Sequence, residues 1–383
     1  MTPSDESLLK TFLCLCNSKT PVSVLKLALL DFSNEEQLKW LIERHRVWNL
    51  AAAAAAVKKL DADNFSLNFR LWLSAAAADC KQKTLQQFKV QSELSKQLND
   101  VEVNYQFFKG IDLSLRLYGD LNCRFSRDID LLISEQDAIK AEQVLLKYGY
   151  KPINDAFTDI APGSVIRGAF SKDKGYQAFG LPVIELHTRV NNEDTQFSKA
   201  VTSSLLDGLV GVSIIEYLYL CVHAMKSNCH RIKWLIDLAF YYEKLNQHIP
   251  GWDKVKWAEA HKFGITRQVI ACEYLMAKYL DIAVTPKGFV GLKSYCSWIS
   301  DSWLCEYRSI ASIKRVIYPV LINSKFEHRC KAFNFLLFCP NDSDKAFIDH
   351  YAKSDGRYIK LLLPFIKMFR YTKNKWLRLI NER

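Results

Sequence analysis

The step Asp128-Ile129-Asp130 constrains this chain more than any other stretch. It stands near the end of residues 103–134, VNYQFFKGIDLSLRLYGDLNCRFSRDIDLLIS. The patterning there reads as a strand from Val103 to Phe108, a tight Lys109-Gly110 turn, a helix of about two turns, a basic polar loop, and a second strand that opens with the carboxylates. Side chains alternate along a strand, so Asp128 and Asp130 project to one side while Ile129, Leu131 and Ile133 point into a core. Two acids at such short range raise each other's pKa unless a cation lies between them, and a hard, oxygen-ligated ion such as Mg²⁺ meets that need. Gly110 opens a helix whose unpaired N–H groups and positive dipole end favour phosphate, and Lys109 adds a full charge beside them. Arg124, Ser126 and Arg127, just before the acids, are placed to contact further phosphate oxygens.

A third carboxylate follows in Pro182-Val183-Ile184-Glu185-Leu186-His187. In a strand there, Val183, Glu185 and His187 share a face, and an acid in that apolar context needs a partner. Taken alone, Glu185 also fits a salt-bridged edge residue.

The flanks read as helices. In residues 1–98, Ser33 and Glu36 form a capping box ahead of an apolar-periodic run from Leu38 through Leu60. The Ala51–Ala56 tract within it suits a close helix–helix contact. A further helix, Thr84 to Leu98, leads into the first strand, and no chemistry is evident before it. Gln136 to Tyr148 carries apolar residues at helical spacing, and residues 149–180 resemble a β-meander. From 196 onward the period is helical again. Ile214 to Met225 and Arg231 to Leu245 form two packed helices around a polar turn flanked by His223 and His230, which suit dipole-stabilised, hydrogen-bonded groups better than a metal site. Lys233 and Asp237, four apart, share a face on the second helix, where an exposed ion pair and a group facing a cleft are both open.

Charge and cysteine usage narrow the setting. The 383 residues are 49% hydrophobic and 24% charged, as in an ordered globular protein large enough for two or three domains. The formal net charge of +11 favours polyanionic partners. Residues 351–383 hold nine Lys or Arg against two acids, so 9 − 2 = +7 of that charge is local. Interleaved with aromatic and leucine residues, this basic tail suits an anionic partner, RNA or a membrane surface, or else a solvated helical face. The 11 cysteines are scattered, without a C-x-x-C pair, and suit free thiols in a reducing cytoplasm. The start MTPSDESLLK lacks the basic opening of a signal peptide, and no stretch reaches the ~18 apolar residues of a membrane span.

The order of these elements resembles the core of the DNA polymerase β-like nucleotidyltransferase superfamily, and more narrowly a poorly characterised bacterial nucleotidyltransferase family. The residues that carry the likeness are Lys109-Gly110, Leu117-Tyr118, Arg124, Asp128-Ile129-Asp130-Leu131-Leu132-Ile133, Glu185-Leu186-His187 and Trp234-Leu235-Ile236-Asp237-Leu238-Ala239. One departure is the turn, Lys-Gly here where the wider superfamily has Gly-Ser. The resemblance implies an α+β fold in which a small mixed sheet, residues 99–195, lies between an N-terminal helical domain, 1–98, and a C-terminal one, 196–383. It implies Mg²⁺ or Mn²⁺ held by Asp128, Asp130 and Glu185, with Glu185 as third metal carboxylate. It further implies an NTP bound through Lys109, Gly110, Arg124, Ser126 and Arg127, and transfer of its nucleoside monophosphate to an acceptor. His187, Lys233 and Asp237 are expected to contact substrate, with His187 lining the mouth of the cleft. A sugar phosphate, an amine, a protein hydroxyl and an RNA end all fit as acceptor. A catalytically silent nucleotide-binding or scaffold protein and an RNA-modifying enzyme are the alternatives. Metal-dependent NTP turnover separates the first, and steeply salt-dependent RNA binding the second.

Overall fold

The computed structural model describes residues 3–16, 23–25, 34–59, 64–153, 173–191, 195–208, 211–284, 292–305, 318, 320–327, 329–330 and 333. Most of the expected β-meander and all of the basic tail, 351–383, lie outside the described residues. Before the sheet come α1 (Pro3–Cys16), α2 (Glu35–His45), α3 (Trp48–Val57) and α4 (Leu67–Asp100). The sheet region holds β1 (Tyr105–Phe107), α5 (Gly110–Tyr118), β2 (Asp128–Ile133), α6 (Ala138–Lys147), β3 (Lys151–Pro152), β4 (Asp173–Gln177) and β5 (Val183–His187). After it come α7 (Gln196–Leu206), α8 (Ile214–Lys226), α9 (Ile232–His248), α10 (Trp252–Phe263), α11 (Thr266–Leu280) and α12 (Lys293–Trp303). The architecture is α+β, with helices on both sides of a small mixed sheet.

Side-chain caps set the starts of α2, α4, α7 and α8, and the first hundred residues differ from the expected pattern. The cap of α2 is Asn34, whose side chain accepts from the Gln37 N–H at 3.0 Å; Ser33 lies outside the described residues. The run expected to be one helix is two. Arg46 takes a left-handed conformation (φ 56°, ψ 51°) and its N–H closes back on carbonyls of α2, so the chain turns before α3 begins. Ala51 and Ala54 of α3 are fully buried, and small side chains there let α3 pack closely on α4. The helix expected at Thr84 to Leu98 is the second half of α4, a 34-residue helix that starts at the Ser66 cap. Its length matters: Phe69 and Leu73 pack in the main helical core, whereas Val90, Leu94 and Leu98 pack under the sheet.

The sheet order is β1-β2-β5-β4-β3. β2 and β5 run parallel at its centre with Asp130 beside Glu185 and Leu132 beside His187, and the remaining pairings are antiparallel. Strand alternation then divides the two faces. Ile129, Leu131 and Ile133 of β2 and Ile184 and Leu186 of β5 face the core formed with α4 and α6. Asp128, Asp130, Glu185 and His187 face the other way, toward the large cluster that holds Leu132, Phe108 and the helices. That cluster includes residues of α1–α4 and of α7–α12, so apolar residues from both sides of positions 98 and 195 share one core. Every cysteine among the described residues is a free thiol, and no helix among them is long and apolar enough to cross a membrane.

A buried ion pair ties the sheet region to the helices behind it. Arg116 of α5 makes two hydrogen bonds to the Glu216 carboxylate of α8, one at 2.6 Å, and the Tyr241 hydroxyl of α9 donates to the same carboxylate at 2.6 Å. Glu216 is 3% exposed. Glu216→Ala is expected to destabilise the protein by about 3–5 kcal/mol by stranding the guanidinium, and Glu216→Gln by less. Urea denaturation of both variants checks the order; equal losses would show that packing, not charge, sets the cost.

Candidate active site

The site is built where the turn after β1 meets β2 and β5. Lys109 has φ 62° and ψ −143°, a backbone region open chiefly to glycine and costing of order 1–3 kcal/mol for other residues. Its carbonyl accepts the first bond of α5, from the Leu113 N–H at 2.9 Å. What holds Lys109 there is its side chain. The ammonium lies 2.5 Å from Asp130 Oδ1 and 4.8 Å from the centre of the Phe108 ring. Lys109, expected to hold phosphate, is thus spent on an internal carboxylate.

Asp130 is 5% exposed and has a second partner, His187 Nε2, at 3.1 Å from the same oxygen. Burial by itself would push Asp130 up. The Lys109 ammonium and the His187 hydrogen bond outweigh it and hold the carboxyl well below its usual range. Glu185 Oε2 is 3.4 Å from the same His187 nitrogen. A nitrogen facing two carboxylates is the protonated one, so His187 donates from Nε2 and braces both acids. His187 is wholly buried, behind the acids rather than at a cleft mouth. The reason is the register: Leu132 is its partner on β2, which sets it one strand repeat deeper than Asp130.

The ligand atoms of Asp130, Glu185 and His187 all lie within 4.8 Å of one another, so this group can hold a metal ion. Two carboxylates suit Mg²⁺ or Mn²⁺, and an imidazole is better tolerated by Mn²⁺. Asp128 stands outside that group. It begins β2 one repeat away, half-buried, and accepts from the Ser126 hydroxyl at 2.8 Å.

Other expected site residues are engaged inside the protein. Arg124 is 5% exposed, and its Nε donates to Asp237 Oδ2 at 2.8 Å. The Tyr118 hydroxyl donates to the other oxygen of Asp237, also at 2.8 Å. Asp237 therefore does not hold Lys233, although their spacing puts them on one face; the Arg124 guanidinium is the stronger partner. Lys233 is buried with its ammonium on the Phe125 carbonyl at 3.0 Å, and burial first, then Arg124, drives its pKa well below the ordinary value. His230 Nδ1 donates to the Ser227 carbonyl at 2.9 Å, and burial lowers it to about 4. The Arg124–Asp237 and Lys233–Phe125 contacts clamp the loop before Asp128 onto α9.

Arg127 is exposed at the end of that loop. Within electrostatic reach of it and Asp128 stand Arg231, the residue that caps α9, and Arg46, from a segment with no evident chemistry in its sequence. No local signal in R-H-R-V-W identifies Arg46, because its neighbours come from residues about 80 and 185 positions away, far beyond any helical or strand period.

Residues 33–281 match the model of a family described as uncharacterised nucleotidyltransferase. This chain belongs to that family. The span covers the whole sheet, the carboxylates and the clamp from α9, and it stops short of the basic tail. Neither curated proteins nor solved structures give a significant match. Membership makes the chain a nucleotidyltransferase in general activity, and the group at Asp130, Glu185 and His187 gives it a possible divalent-metal site.

Asp130→Asn is expected to melt below Asp128→Asn, because only the first strands the Lys109 ammonium in the interior, a cost of about 3–5 kcal/mol. The double variant Lys109→Met/Asp130→Asn should recover much of the loss. Calorimetry of these proteins together with the Lys109→Met single variant decides it, and additive losses in Lys109→Met and Asp130→Asn would dissolve the pairing. The pH dependence has a definite sign. A carboxyl held below its usual value contributes stability that is fully present above about pH 4 and is lost as pH falls through the depressed value, so this part of the acid transition should vanish in Asp130→Asn.

Proposed function

We propose that this nucleotidyltransferase moves a nucleoside monophosphate from an NTP to a hydroxyl or phosphate acceptor, with Mg²⁺ or Mn²⁺ held by Asp130 and Glu185 and completed by Asp128. The observation that carries this reading is the side-by-side pairing of Asp130 and Glu185 on parallel strands, both braced by one buried imidazole. When bound there, such an ion would polarise the α-phosphate and offset charge on the leaving pyrophosphate. The acceptor oxygen bonds to the α-phosphorus as the bridging P–O bond to the β-phosphate breaks; pyrophosphate takes the electron pair, and the acceptor proton passes to solvent. The protein's own part is placement. His187 fixes the orientation of two carboxylates. The Arg124–Asp237–Tyr118 network and the Lys233–Phe125 bond fix the loop that ends at Asp128.

A second reading is supported by one contact. Lys109 already neutralises Asp130, as it would in a catalytically silent nucleotide-binding protein. Turnover separates the two. Labelled NTPs with Mg²⁺ or Mn²⁺ and a cell extract should yield a labelled product, and Asp128→Asn and Glu185→Gln should each slow its formation by about 10²-fold or more. His187→Asn, which removes only the brace, is expected to cost about 10–100-fold. Absence of any labelled product would favour the silent protein, and full activity in Glu185→Gln would remove that residue from the site.

A further inference from the structure

Arg46, Arg127 and Arg231 lie within electrostatic reach of one another and of Asp128. Hydrogen bonds between their chain neighbours bring them together. His45 Nδ1 accepts from the Ile232 N–H at 3.1 Å, which joins the residue before Arg46 to the residue after Arg231. The Lys233 ammonium holds the Phe125 carbonyl at 3.0 Å, two residues before Arg127. Trp48 packs edge-on against the Phe125 ring at 5.5 Å between centres, and the Asn49 amide donates to the Asn122 carbonyl, closing the third side. His45 is anchored from behind by a contact of 3.1 Å between its Nε2 and the Trp303 carbonyl. Three segments distant in sequence are thereby pinned beside one another, each carrying one of the arginines.

The convergence is costly as it stands. Among the described residues, none of the three guanidiniums makes a hydrogen bond or ion pair. Burial, and then the neighbouring guanidiniums, lowers both Arg46 and Arg231 to about 10. Charges that repel one another at a rigid junction, with donors unused, await an anion of matching charge. The start of α9, where Arg231 is the cap residue and His45 takes the Ile232 N–H, adds its positive dipole end beside Arg231. Nearby cations are already committed, Lys109 to Asp130 and Arg124 to Asp237.

We propose that Arg46, Arg127 and Arg231 form the seat of the nucleotide's triphosphate, next to Asp128. This rests on the transfer reading above and replaces most of the phosphate contacts expected of Lys109, Gly110 and Arg124. The planar forks of arginine suit phosphate oxygens in pairs, and three of them around one point suit a polyphosphate better than a single phosphate. The N-terminal helices, through Arg46, then act on the substrate as well as on the fold.

Calorimetric titration of the full chain with inorganic tripolyphosphate in EDTA tests the seat apart from metal and turnover. Wild type should bind; Arg46→Gln and Arg231→Gln should each raise Kd about tenfold or more. Arg127→Gln, on an exposed side chain, should do the same with no effect on folding. Without ligand, the variants should melt no lower than wild type, since each removes a repelling charge, and they should gain less on adding tripolyphosphate. Unchanged Kd in the three arginine variants, or no binding by wild type, would overturn the proposal. So would tighter binding of a single-stranded RNA lacking a triphosphate through the same arginines, which would make the cluster a nucleic-acid surface. Tripolyphosphate binding without nucleotidyl transfer would remove the transfer reading and leave the anion seat in place.

Discussion

A carboxylate can be buried only if its charge is met, and Asp130 shows how much structure that demand recruits. Its ammonium partner comes from Lys109, which must adopt a glycine-like backbone conformation at the turn into α5. Its hydrogen-bond partner comes from His187, which the parallel register of β2 and β5 carries one repeat deeper. The strain at Lys109 is of order 1–3 kcal/mol, and breaking a buried pair costs about 3–5 kcal/mol, so the contact is strong enough to hold the turn. Turn, strand pairing and acid geometry are therefore one cooperative unit.

The helices do more than cover the sheet. One helix, α4, contributes to both the main helical core and the sheet core, and through Arg116–Glu216 and Arg124–Asp237 two charged contacts pin α5 and the loop before β2 to α8 and α9. A loop carrying arginines and a serine next to an acid would ordinarily be mobile. Here its Phe125 carbonyl, its Arg124 side chain and its Phe125 ring are all held, so Asp128 and Arg127 are presented from a fixed platform. Catalysis by placement depends on that rigidity.

The proposed division of labour follows from where charge is already cancelled. Lys109 and Arg124 spend theirs on Asp130 and Asp237, and His187 is buried against Asp130 and Glu185. Arg46, Arg127 and Arg231 retain theirs.

Strand parity around Asp128-Ile129-Asp130 determined from sequence alone which face carries the acids and which the core, because alternation is fixed by backbone geometry. The same local logic located the turn at Lys109-Gly110, the helices around the sheet, and the strand bearing Glu185 and His187. Order of motifs gave the family. Only the tertiary structure decided which partners the charges take. Lys233 and Asp237 are neighbours by helical spacing, yet Asp237 pairs with Arg124, 113 positions away, and Lys233 with the Phe125 carbonyl. Arg46 has no meaning until the break between α2 and α3 carries it to Arg231. Periodicity reports the face a residue shows, whereas ion pairing depends on what the fold brings opposite that face.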